Sequence, residues 1–92
     1  MIILVVGPAK SGKTQFLRNL SSLNIPIHTI DDAIPAELIA NKDAIRIKVN
    51  QLGLVAISLY SYADPSDLDG LIHEWMGEYR VSVLRTIDVI NA

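Results

Sequence analysis

Two periods of apolar residues alternate along the chain. Ile2–Val6 (IILVV) is an unbroken, β-branched-rich run, as expected of a strand covered on both faces. Phe16, Leu17, Leu20 and Leu23 then recur at helical spacing and predict a helix over residues 13–22. Residues 25–30 read as a second strand, with Pro26 near its start, where a missing donor does least harm, and Asp31-Asp32 following at its end. Residues 54–62 predict a third strand, and residues 79–89, rich in Val and Ile, a fourth. Between these two, Asp64-Pro65 places a capping acid before a proline at the first helical position. Leu68, Leu71, Ile72, Trp75 and Met76 supply the buried stripe of that helix, and Gly77 ends it.

The middle of the chain carries two patterns. Pro35 suits the first turn of a helix, Leu38, Ile45, Val49 and Leu52 share a helical stripe, and Gly53 is its stop. Residues 44–49, however, alternate apolar positions with Arg46 and Lys48, which is strand-like and would go with a hairpin through residues 50–53. The helix is preferred because it completes a β-α-β-α-β-α-β order. The expected fold is a small three-layer α/β domain with a mainly parallel sheet.

Composition narrows the picture. At 92 residues there is room for one domain, over residues 1–92. Half the residues are apolar, 20% are charged, and the mean hydropathy is +0.33, which argues against disorder and for doubly covered strands or a surface hidden by another subunit or a protein partner. The longest apolar run, residues 1–6, falls far short of the roughly 20 needed to cross a bilayer, and no basic segment precedes it. The expectation is a cytoplasmic protein without membrane insertion. The absence of cysteine excludes disulfides, thiolate zinc sites and thiol catalysis. A net charge of −2 gives no indication of nucleic-acid binding.

Candidate chemistry concentrates in Gly7-Pro8-Ala9-Lys10-Ser11-Gly12-Lys13-Thr14, which matches the phosphate-loop pattern GxxxxGK[ST] and lies between an apolar strand and an amphipathic helix, the context that pattern requires. Gly7 and Gly12 let the backbone curl close to an anion. Successive N–H groups from about Ala9 to Lys13 form a nest, and the following helix adds the positive end of its dipole. Lys13 supplies an ammonium, Thr14 a hydroxyl suited to Mg²⁺, and Ser11 a further donor; Lys10 either lies over the phosphates or is solvated.

Here the sequence resembles the P-loop NTPase superfamily, the loop being its Walker A motif. The likeness is specific over residues 2–20 and beyond that one of layout, as in a reduced member. It implies binding of ATP or another nucleoside triphosphate with Mg²⁺, through Gly7, Ala9, Lys10, Ser11, Gly12, Lys13 and Thr14. It also implies an acid at a strand end. By this analogy Asp31 stands on the metal side with Thr14, and Asp32 is the base that acts with Lys13 in catalysis. Asp64, after the third strand, is the alternative acid, and each of these acids also reads as a helix cap. Between Thr14 and Asp31 there is room for only one helix and one strand, where most members of the ATPase branch place another strand. Ser58 and Ser61 read as phosphate sensors or, more simply, as packing residues. Tyr60 and Tyr62 read as base-stacking groups or as strand packing, and Arg80 and Arg85 as charge-stabilising fingers or surface groups. Asn41-Lys42-Asp43 and the stretch 67–70 resemble guanine-nucleotide motifs but lack the spacing or context. The expected activity is nucleotide binding with slow hydrolysis. A reduced nucleotide-binding module that works by binding a protein partner or a second copy is the alternative, and a small kinase-like phosphotransferase the weaker one. The size also fits a virus-encoded or accessory protein, which would place it in the host cytoplasm.

Overall fold

A computed structural model describes residues 1–62 and 64–86. These build β1 (Ile2–Val6), α1 (Lys13–Ser21), β2 (His28–Ala33), α2 (Pro35–Ala40), α3 (Lys42–Leu52), β3 (Val55–Leu59), α4 (Pro65–Met76) and β4 (Val81–Arg85). The strands form one all-parallel sheet in the order β2-β3-β1-β4. The two most apolar runs, β1 and β3, are central, and every residue of β3 is buried.

The strand order decides where the helices go. A right-handed crossover from β1 out to β2 places α1 on one face, whereas the return to β3 and the step on to β4 both run the other way and need the opposite face. The packing agrees. Leu17 of α1 packs with Val5 and Ala56 on one side, while Leu38, Ile45, Val49, Leu71 and Trp75 of α2, α3 and α4 pack with Leu4, Val55 and Ile57 on the other.

Several sequence expectations need correction. The helix expected over residues 36–52 is two helices that meet at Asn41, whose side chain donates to the Glu37 carbonyl (2.8 Å); the competing hairpin does not form. The element order is therefore β-α-β-α-α-β-α-β. The second strand runs over His28–Ala33 rather than residues 25–30, so Asp31 and Asp32 lie within it and not after it. The third and fourth strands are shorter than expected, and residues 87–89 of the predicted fourth strand lie outside the described residues. Leu23 and Met76, expected on buried stripes, are exposed. The caps at Gly53, Asp64 and Gly77 stand where the sequence placed them.

Candidate functional site at the carboxyl ends of the strands

In an open parallel sheet, ligands bind at the carboxyl ends of the strands where neighbouring strands send their connections to opposite faces. Here those neighbours are β1 and β3, which lead to α1 and α4 on opposite sides. The 7–12 loop leaves β1 at this point and Tyr60, Ser61 and Tyr62 leave β3, so the two segments face each other across a cleft of about 460 Å³. Lys10, Lys13, Thr14, Arg18 and Asp32 also line the cleft.

Gly12 caps α1 at φ 97°, a conformation that disfavours any side chain, and no side chain caps this helix start. The first-turn N–H groups of α1 are thereby left facing the loop without a side-chain acceptor. Lys13 is only 7% exposed; its Nζ donates to the Gly7 carbonyl (2.7 Å) and to Ser61 Oγ (2.6 Å). Burial lowers its pKa from the usual lysine value, opposed by the nearby charges of Asp32 and Asp31.

The acidic pair owes its placement to an irregularity in β2. Ile30 pairs with Ile57 and Ala33 with Leu59, so Asp31 and Asp32 together stand opposite the single residue Ser58. The extra residue is a β-bulge, and it returns Ala33 to the buried face after the two acids have been exposed. Ser58, with no exposed surface, serves both acids. Its hydroxyl donates to Asp31 Oδ1 and accepts the Asp32 backbone N–H (2.8 Å). Asp31 Oδ2 in turn accepts from Thr14 Oγ1 (2.9 Å). The Ser58 hydrogen bond, above all, holds the Asp31 carboxyl below its ordinary pKa, with smaller help from Thr14, from the Asp32 N–H and from the charge of Arg18. Asp32 sits at φ 57° and Lys10 at φ 60°, so two of the three non-glycine residues with positive φ among the described residues line this cleft. Backbone strain of this kind gathers at functional sites.

The structure thus brings Gly7, Lys13, Thr14, Asp31 and Asp32 together and leaves Asp64 apart. Asp64 caps α4, accepting from the backbone N–H (2.9 Å) and hydroxyl (2.8 Å) of Ser66, and these bonds lower its pKa. Ser58 and Ser61 are not mere packing: each bonds a site residue. Tyr60 and Tyr62 are not strand packing either. They form an edge-to-face pair at the cleft mouth, with centroids 5.5 Å apart. Arg80 lies at the opposite, amino end of β4, where its carbonyl accepts from Ile2 N–H, so it cannot serve this cleft. Arg18 was missed by the sequence reading. Its only signal is position, one helical turn beyond Thr14 on the same face of α1.

The donor set suits a small hard cation. The Thr14 hydroxyl and the Asp31 carboxylate are neighbouring oxygens, and among the described residues no cluster of three or more His, Cys, Asp or Glu forms an all-protein cage. Two neighbouring oxygen donors of this kind fit a hard cation that takes its remaining ligands from outside the protein. No family model matches the chain, and no curated protein or solved structure matches it. Among the described residues no helix is long and apolar enough to cross a membrane.

Proposed function

We propose that the protein binds a nucleoside triphosphate, ATP for preference, with Mg²⁺, as a reduced member of the P-loop NTPase superfamily. The observation that carries this reading is the convergence of Lys13, Thr14 and Asp31 beside the 7–12 loop at the meeting point of β1 and β3. The loop N–H groups and the start of α1 hold the β- and γ-phosphates, and the Lys13 ammonium exchanges Ser61 for a phosphate oxygen. Thr14 and Asp31 are the protein's ligands to Mg²⁺, which supplies charge neutralisation to the phosphates when bound. Asp32, strained and exposed on the cleft wall, orients the water that attacks the γ-phosphorus. Hydrolysis is slow, because the cleft is open to solvent rather than closed around the reacting groups. The test is calorimetric titration with ATP-Mg²⁺, followed by phosphate release. Saturable binding that is weakened by Lys13→Ala supports the reading, and no binding at millimolar ATP overturns it.

A further inference from the structure

Thr86 follows β4, on the far side of β1 from the acidic pair, and is only 2% exposed. A buried hydroxyl requires a partner, and this one donates to Ser11 Oγ at 2.8 Å. Ser11 Oγ in turn donates to the Pro8 carbonyl at 2.6 Å. Two hydroxyls in series thus join β4 to two points of the 7–12 loop. The same contact explains Gly7. A β-carbon there would overlap Thr86 Oγ1 and come within 2.9 Å of Ser11 Oγ, so the side chain absent from Gly7 is the space that Thr86 occupies.

We propose that Thr86 is a positioning residue of the anion loop: its hydroxyl, through Ser11, locks the 7–12 backbone into its ligand-ready curve before any ligand arrives. The loop contains Lys10 at φ 60°, a conformation that a residue with a side chain disfavours. Lys13 is attached to the loop start by its bond to the Gly7 carbonyl. That bond fixes one side of the curve, and Thr86 fixes the other from the neighbouring strand. Ordering the loop in advance removes an entropic cost from binding, so the latch acts on affinity without touching the ligand. The step from loop order to affinity rests on the nucleotide reading; the latch itself does not.

The experiment compares wild type with Thr86→Val, which keeps the shape and loses the donor, and Thr86→Ser, which keeps the donor. Backbone ¹⁵N order parameters in nucleotide-free protein read loop order at residues 9–13, with Leu4 and Ile57 as core references. Calorimetry with ATP-Mg²⁺ reads affinity. The expected result for Thr86→Val is lowered loop order parameters with unchanged core values, together with affinity about 3- to 10-fold weaker, the loss of one ordinary hydrogen bond. Thr86→Ser should stay near wild type in both. Unchanged loop order in Thr86→Val overturns the latch, and so does an equal loss in Thr86→Ser. Lowered loop order in Thr86→Val, with no nucleotide bound even by wild type, upholds the latch and overturns the nucleotide reading instead.

Discussion

The chemistry of the cleft depends on a few side chains whose roles separate by substitution. Lys13 is held by two neutral oxygens, the Gly7 carbonyl and Ser61 Oγ, and a phosphate oxygen is a better partner for an ammonium than either. Lys13→Ala should therefore weaken ATP-Mg²⁺ binding by about 10- to 150-fold, corresponding to about 1.5–3 kcal/mol for a charge-assisted bond. Equal calorimetric affinities for wild type and variant would rule this out. Ser58→Ala removes the group that serves both acids and leaves the Asp32 N–H without its partner. The expected loss is about 1–3 kcal/mol of stability, read from urea midpoints. Asp31 makes that stability acid-sensitive. Its carboxyl titrates below the ordinary 3.8 in the folded chain, so its contribution is complete above that pH and is lost as the pH falls through the lower, folded value. The stability gap between wild type and Asp31→Asn should accordingly close below about pH 3.8, and a gap that widens in acid would contradict the assignment.

Elements place these residues, and the two candidate acids sit on elements with different duties. Asp64 closes the start of α4 by bonding Ser66, whereas Asp31 stands in a bulge and bonds Thr14 across the site. Asp64→Ala removes the cap of α4 and should lower Tm, with no change in the Mg²⁺ dependence of nucleotide binding. Asp31→Asn should do the reverse, keeping Tm within a few degrees while losing most of the Mg²⁺ enhancement. Swapped outcomes in thermal melts and Mg²⁺ titrations would transfer the metal role to Asp64. Much of this scaffold was legible in the chain, because β1 and β3 are apolar enough to read as central strands and Asp64-Pro65 and Gly53 are local signals of helix ends. The bulge was not legible. Nothing local marks Asp31-Asp32 as two residues opposite one, since the irregularity exists only once β2 is paired with β3. The break at Asn41 was hidden because Leu38 and Ile45 stay on one continuous stripe through it. Ser58 read as a packing residue and Thr86 gave no signal at all, because their partners lie 27 and 75 residues away in sequence.

At the scale of the whole molecule, the described residues make a slab of 34 × 32 × 18 Å whose carboxyl edge carries an open cleft. Fast phosphoryl transfer needs the developing charge to be met by fixed cations and the water to be limited. Arg80 is at the wrong end of the sheet, Arg85 ends β4 at the carboxyl edge but is exposed and does not line the cleft, and Arg18 reaches the cleft wall from an exposed position. The cleft mouth is formed by Tyr60 and Tyr62, 43% and 77% exposed, which are large apolar groups left in water beside the site. A second surface closing over this mouth would bury both rings, exclude water and bring a cation, and an arginine supplied in that way raises the rate by about 10³–10⁵. Phosphate release by the isolated chain is therefore expected to be slow, and to rise with protein concentration or on adding a partner that covers the two tyrosines. The measurement is specific activity across a concentration series, with light scattering to follow assembly and Tyr62→Ser to weaken the covering contact. In that variant the basal rate should persist and the concentration-dependent part should shrink. A rate already fast in a strictly monomeric sample, and abolished there by Arg18→Ala, would show that α1 carries the stabilising cation and that the cleft needs no cover.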